Sequence, residues 1–244
     1  DVCSSDLGQK SGELGLQLLP EDVIAAAKNE NCASIAYTYT EPTIFFEYAY
    51  ETAKLAKAEG IKNIFVTNGF MTPKALDAVA PFLDAANVDL KAWDDDYYKN
   101  YCEARIKPVL TSIRHLKELS IWQEVTTLLI PGENDSDAQM QGIAEFIAGV
   151  DPDIPWHISA FHPAYEFGDR GSTPVQTLQK AEKIGRDKGL HHVYLGNVPA
   201  ENDTYCHRCD EKVVVRSRHG IREVRLSDNK CPACNAVIAG RWER

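Results

Sequence analysis

Five runs of strand-forming residues in this chain each end in a short polar signature, and helix-like stretches separate them. In order, the endings are Thr40-Glu41-Pro42, Thr67-Asn68-Gly69, Asp89-Leu90-Lys91, Pro131-Gly132-Glu133-Asn134-Asp135 and Phe161-His162-Pro163. Parallel β/α barrels build their active sites at the C-terminal ends of their strands, one or two residues from each. A chain punctuated in this way is expected to assemble one composite pocket, and it reads as an enzyme.

Apolar periodicity predicts helices over Pro20–Glu30 and Thr43–Gly60, the second stopped by its glycine. Strands are expected at Ala33–Thr38, Ile64–Val66, Val88–Leu90, Val125–Ile130, Trp156–Ser159 and Val193–Leu195. Thr72-Pro73 reads as an N-cap with proline at the first helical position. Ser136 and Gln139 match a capping box, and Thr173, Pro174 and Gln176 repeat the cap-and-proline signal before a helix ending near Gly189. Val109, Ile113 and Leu116 stripe one further helix. Strands alternating with helices imply parallel pairing with right-handed crossovers. Five or six such units fall short of eight, so the expectation is an α/β fold, a partial, open (β/α)6-type barrel. The pattern opens on a helix, consistent with a missing first strand.

The 244 residues suit one barrel-sized domain with a small module beside it. A net charge of −10 argues against a phosphate-backbone binder. No apolar run reaches the roughly eighteen residues of a membrane span, and no basic-then-apolar start marks a secretory signal. Residues 1–7, polar and patternless, look like a translated sequencing adapter. Native sequence is therefore expected from about Gly8, and the chain is expected to be a fragment.

From Pro199 the pattern changes. Residues 199–244 carry nine Lys and Arg against seven Asp and Glu, while the preceding residues carry 17 against 29. The boundary is put there, giving a barrel over 8–198 and a module over 199–244. Cys206-x-x-Cys209 and Cys231-x-x-Cys234 flank a hairpin-like middle, Val213–Val215 and Val224–Leu226. Four thiolates so spaced can close tetrahedrally on Zn2+ as a zinc-ribbon-like unit, with an iron–sulfur cluster as the rival. His207 and His219 are bystanders to that shell. Seven cysteines, an odd number with paired spacing, fit a metal site in a reducing compartment, here the cytoplasm.

Each strand-end residue has two readings. Asp89 and Lys91 lie two apart on one strand face. They can cap the sheet as a salt bridge, or clamp a zwitterion, Lys91 taking a carboxylate and Asp89 an ammonium or hydroxyl. Glu41 can sit in the first turn of the next helix or hold a ligand amine. Asn68-Gly69 can be a plain turn, and His162 a packed loop histidine or a ligand contact. Leu128–Gly132 ends a strand with exposed backbone on which a flat base can lie.

Taken together, these stretches resemble the AmmeMemoRadiSam-system radical S-adenosylmethionine (SAM) enzymes, relatives of the pyruvate formate-lyase-activating enzymes. The resemblance runs from about Gly12 to the end. It is most specific at residues 37–42, 65–69, 88–91 and 124–132. It implies a radical SAM (TIM-type) barrel in which Thr40-Glu41-Pro42 stands where relatives hold the methionine amine with Gly-Gly-Glu-Pro. It further implies that Asp89 and Lys91 contact methionine and ribose, that Asn68 lines the pocket, that Ile130 faces adenine and that His162 completes the site. Thr40 departs from the motif's glycine. The family ligates a [4Fe-4S] cluster through C-x-x-x-C-x-x-C, a spacing that Cys3, Cys32 and Cys102 cannot supply. The resemblance implies a parent enzyme that reductively cleaves SAM to a 5′-deoxyadenosyl radical for hydrogen abstraction, and a fragment inactive in that step. An electron donor and Memo-like and AMMECR-type proteins are its implied partners. A glycyl-radical-enzyme activase and a non-catalytic zinc-binding scaffold are the alternatives.

Overall fold

The computed structural model describes residues 18–164, 167–217 and 220–242. Six helix-flanked strands come first: α1 Pro20–Asn29, β1 Ser34–Tyr37, α2 Phe46–Ala58, β2 Lys62–Thr67, α3 Pro73–Val79, β3 Ala85–Asp89, α4 Asp95–Cys102, α5 Ile106–Glu118, β4 Trp122–Leu129, α6 Asp137–Val150, β5 Trp156–Ala160, α7 Val175–Asp187 and β6 Val193–Gly196. The strands are ordered sequentially from β1 to β6. All six expected strands are present, and the expected α/β class holds. α4 was not foreseen; its buried face is made by tyrosines, Tyr97 and Tyr98, set among charged residues, and not by aliphatic side chains. Two compact units divide these elements. The first comprises 18–90 and Tyr98–Gln123, the second Lys91–Tyr97 and 124–242.

In the first unit β1, β2 and β3 pair in parallel. The apolar faces of α1 and α2 meet through Ile24, Ala27, Ala56 and Ile61. Proline opens α1 at its first position, and the Asp22 carboxylate accepts the Leu19 N–H at 2.9 Å. Thr72 caps α3 as expected, its hydroxyl accepting from the Ala75 N–H.

Three helices here close on a left-handed residue followed by a six-to-one backbone bond. The bonds are Cys32 N–H to Ala27, Ile61 N–H to Ala56 and Ile121 N–H to Leu116. The left-handed residues are Asn31, Gly60 and Ser120, the last at φ 58°. Serine holds that conformation at a cost that glycine lacks. Ser120→Gly is therefore expected to stabilise the fold by about 0.5–1 kcal/mol, read as a higher urea midpoint at unchanged slope.

In the second unit β4, β5 and β6 pair in parallel. Buried residues alternate with half-buried ones along β4 and β5. Gly185 of α7 lies close against Trp156 and Val193, so a Cβ there would sit 3.0 Å from each. Trp156, Ile158 and Val193 thus face the helix layer. His157 and Tyr194 occupy the opposite, half-open face, which explains why these parallel strands alternate instead of reading as continuous apolar runs.

Two cap expectations are corrected. Ser136 does cap α6, accepting from the Gln139 N–H, but Gln139 does not close the box; its side-chain oxygen accepts the Trp93 N–H instead. Thr173 is no cap. Pro174 takes that position, and the buried Thr173 hydroxyl donates to the Leu129 carbonyl and accepts from the Phe161 N–H, tying the ends of β4 and β5.

A small antiparallel sheet follows in the same unit, β7 Thr204–Tyr205, β8 Lys212–Ser217 and β9 Gly220–Val224. Arg225 and Leu226, expected in the hairpin, lie beyond its last strand. The Asn202 side chain joins this module to the β6 edge, accepting from the Leu195 N–H and donating to the Leu195 carbonyl as a neighbouring strand would. Arg216 stacks over the Tyr194 ring, with 5.1 Å from its guanidinium carbon to the ring centroid. No helix among the described residues is long and apolar enough to cross a membrane. Residues 1–7, Cys3 and His219 lie outside the described residues.

Candidate functional site

In the first unit, β1 runs into Thr40-Glu41-Pro42 and β2 into Asn68-Gly69. Glu41 does not enter a helical first turn, since α2 starts only at Phe46. Its carboxylate instead crosses to β2. One oxygen accepts from the Thr67 hydroxyl at 2.7 Å and from the Thr43 hydroxyl at 3.1 Å; the other accepts the Asn68 N–H at 2.7 Å. Glu41 and Asn68 are thus brought together. The carboxylate is fixed in direction by hydroxyl and backbone donors with no cation in that set, which leaves its negative charge available to a cationic group.

Asn68 makes the turn that its sequence suggested, with its side-chain oxygen accepting the Phe70 N–H at 2.8 Å. Gly69 is required twice over. Its φ is 72°, and a Cβ would lie 2.7 Å from Val88 and 3.0 Å from Val109. Tyr39 takes φ 70° with its side chain 84% exposed. The backbone just before Glu41 therefore keeps a glycine-like turn without a glycine, although Thr40 and Tyr39 carry side chains. Asp89 closes β3, half-buried.

In the second unit, Lys91 and Ile130 are held by one residue that the sequence did not single out for a role. Asn134 is 0% exposed. Its amide nitrogen donates to the Lys91 carbonyl at 2.6 Å and the Leu128 carbonyl at 2.8 Å, and its oxygen accepts the Ile130 N–H at 2.7 Å. The segment after Lys91 is pinned again two residues on. The Trp93 indole lies on α6 where Gly142 leaves room, and a Cβ at 142 would come within 2.1 Å of it. The turn after Ile130 is fixed by Gly132 at φ 79°, by the Gly132 N–H bonding Asp135, and by Arg170, which donates to the Pro131 carbonyl and pairs with Glu133. Ile130 itself is 3% exposed, so its side chain is packed inside and does not form the apolar edge expected there.

His162 is exposed and held by a different pair. Its Nε2 donates to the Asn197 carbonyl at 3.2 Å, which leaves Nδ1 to accept from the Ser172 hydroxyl at 3.3 Å. Asn197, at φ 60° just past β6, donates in turn to the Ala160 carbonyl. Only the pattern of polar residues at strand ends pointed to these positions; the bonds from the Thr67 hydroxyl to the Glu41 carboxylate and from Asn134 and Arg170 to backbone carbonyls follow from no spacing rule.

The module brings Cys206, Cys209, Cys231 and Cys234 together, every sulfur within 4.8 Å of the others. Two sulfur pairs, Cys206 with Cys234 and Cys209 with Cys231, stand 3.6 Å apart. A tetrahedral Zn2+ with bonds of about 2.3 Å needs sulfurs about 3.8 Å apart, so the set fits a metal ion. Burial pushes the Cys206 thiol up, partly offset by the Arg208 and Cys209 N–H groups. Cys231 is brought down despite its burial, by the Ala233 and Cys234 N–H groups. Neither Cys32 nor Cys102 belongs to this cluster.

Comparison with known proteins locates this architecture. The profile of the Radical SAM superfamily matches residues 4–144. An uncharacterized protein of Methanocaldococcus jannaschii is 35% identical over 227 residues, covering 91% of this chain and 67% of that protein. A domain of pyruvate-formate lyase-activating enzyme from Bacteroides vulgatus superposes with a TM-score of 0.60 at 21% identity, over 68% of this chain and 99% of that one. Streptococcus suis SuiB bound to S-adenosylmethionine gives 0.61 at 12% identity, over 77% and 45%. At these identities the two structures speak for the fold alone.

Proposed function

Because the chain belongs to the radical SAM superfamily, we propose that its strand ends bind S-adenosylmethionine. SAM presents an amino acid group, a ribose and an adenine. The chain offers the Glu41 and Asp89 carboxylates for the amine and hydroxyls, the Lys91 ammonium for the carboxylate, Asn68 for polar contact, backbone about Ile130 for the base edge, and His162 at the rim. What carries this reading is that these residues lie at or just beyond the carboxyl ends of five successive strands, Asp89 and Lys91 sharing β3, where ligands of parallel sheets bind. Thr40 adds only backbone.

The parent enzyme, by this reading an AmmeMemoRadiSam type acting with Memo-like and AMMECR-type partners and an electron donor in the cytoplasm, would carry a [4Fe-4S] cluster that supplies the chemistry of reductive SAM cleavage to a 5′-deoxyadenosyl radical. The 244 residues contain no C-x-x-x-C-x-x-C, so the cysteines present do not fit that cluster and no step is assigned to it here. The chain's own work is to bind and orient SAM, and its four C-terminal cysteines hold Zn2+ as a zinc ribbon. A glycyl-radical-enzyme activase would share the cofactor and differ in taking a protein glycine as substrate. A non-catalytic zinc scaffold is favoured by one observation, that the Glu41 carboxylate already accepts bonds from its own chain.

Calorimetric titration with SAM separates binding from scaffold. Asp89→Asn and Lys91→Ala are each expected to weaken SAM at least tenfold, the equivalent of about 1.4 kcal/mol, and His162→Ala less. A folded chain that takes up no SAM with Glu41, Asp89 and Lys91 intact would leave the scaffold reading.

A further inference from the structure

A second cluster of metal-ligating side chains lies where the cysteine module meets the amino-terminal ends of β5 and β6, opposite the end of β5 that leads into His162. Asp153 comes from the α6–β5 connection, His191 from the α7–β6 connection, and His207 from within the Cys206-x-x-Cys209 knuckle. Their ligand atoms all lie within 4.8 Å of one another. Asp153 Oδ1 is 2.7 Å from His191 Nδ1. The imidazoles of His191 and His207 lie nearly flat on each other, with centroids 4.2 Å apart and planes at 13°.

Backbone bonds fix all three positions before any ligand arrives. The His191 N–H donates to the Pro152 carbonyl, one residue from Asp153. The Asp153 N–H donates to the Asp151 carboxylate. The knuckle carrying His207 is closed by Cys206 N–H to Glu211 and Asp210 N–H to Cys206. Beside them, His192 is 4% exposed, and its Nε2 has no hydrogen-bond partner among the described residues. Its ring centroid is 6.3 Å from that of His191.

We infer that Asp153, His191 and His207 form a second metal site, distinct from the four cysteines, that takes a first-row divalent ion such as Zn2+ and clamps the module to the base of the barrel strands. Two imidazoles and one carboxylate are a borderline-soft nitrogen and oxygen set that suits Zn2+. Ligands at about 2.0–2.1 Å around a tetrahedral centre sit about 3.3 Å apart. The two rings lie nearly parallel, so their nitrogens do not converge as they stand; the exposed His207 side chain would have to turn to bring a nitrogen onto the same ion as His191. Three protein ligands leave one coordination position for water or a further group. The site also gives His207 a use outside the cysteine shell, which four sulfurs already complete. Metal binding would then stabilise one particular seating of the module, because the ion binds only where ligands from both parts meet.

The test is metal stoichiometry, and it does not depend on which ion the cysteines prefer. Reduced, metal-stripped protein is equilibrated with Zn2+ and washed through a desalting column. His207→Ala and His191→Ala are each expected to retain one equivalent less than the unaltered chain. Cys231→Ser removes a sulfur ligand and with it the fold that carries His207, so it should lose both ions, against the single equivalent lost by each histidine variant. His207 is exposed, so His207→Ala carries the test if His191→Ala fails to fold. Should both histidine variants retain as much Zn2+ as the unaltered chain, the second site does not exist, and the cluster is a stacked, hydrogen-bonded packing contact.

Discussion

Replacing Cys206 with serine is expected to unfold the C-terminal module while leaving the β/α strands folded. The module's core consists of six buried residues, Cys206, Val213, Val214, Cys231, Ala236 and Ile238, with Leu226, Cys234 and Trp242 packed against it. Two of those six are metal-ligand candidates, so the apolar content that remains is very small. Its three strands are short, and the residues of β9 are all exposed. A unit of this size rarely folds on its own core, whereas four-thiolate Zn2+ binding supplies apparent free energies of about 10–16 kcal/mol in small domains. Serine at 206 removes one ligand and leaves a weaker three-sulfur site. Limited trypsin digestion reads the outcome. In the unaltered protein Arg222, Arg225 and Lys230 should be cut slowly; in Cys206→Ser, or after chelation, they should be cut many-fold faster, while the strands before residue 199 survive. The Trp242 indole, which donates to the Ile238 carbonyl, should shift its emission in parallel. Equal digestion rates in both proteins would show that the module holds itself together without metal. Visible absorption of the intact protein decides the ion, since Zn2+ is colourless and an iron–sulfur cluster is not.

Much of this fold was legible because its signals are local. Gly60 stops α2 in the left-handed turn that it predicted, and Thr72-Pro73 opens α3 with the expected cap bond. Every expected strand formed, since runs such as Val125–Ile130 have nowhere else to bury their branched side chains. Polar residues were harder to read, because a hydroxyl or amide can satisfy whichever backbone group tertiary structure brings near. Thr173 looked like a cap and became a tie between β4 and β5. Gln139 looked like half of a capping box and bonds Trp93 instead. Gly142 sits in mid-helix, where glycine is unfavourable, and only the Trp93 indole lying on it explains the choice. The candidate site followed the same division. Its strand-end positions could be read from the alternation of elements. The bonds that hold them, from Thr67 to Glu41 and from Asn134 to Lys91, could not, since each joins groups far apart in sequence.

Asn134→Ala carries the second large expected effect. The fully buried Asn134 side chain makes three bonds, to the Lys91 and Leu128 carbonyls and from the Ile130 N–H. Alanine removes all three bonds at once, taking this partner from the buried Ile130 N–H and from two part-buried carbonyls. Each stranded group costs about 1–3 kcal/mol. Relaxation of the Pro131–Asp135 turn recovers part of this, so a net loss of about 3–5 kcal/mol is expected, at the severe end for a single substitution. Chemical denaturation should show it as a lower midpoint. Asn134→Asp keeps the shape but turns the amide donor into an acceptor facing two carbonyls, so it should be no more stable than alanine, and that excludes side-chain volume as the cause. The variant also separates stability from binding. With the Lys91 carbonyl released, the Lys91 ammonium loses its fixed origin, and SAM affinity should fall more than tenfold even under conditions where the variant remains folded. If Asn134→Ala lies within about 1 kcal/mol of the unaltered chain, the three bonds are replaceable, and Lys91 must be positioned by something other than this amide.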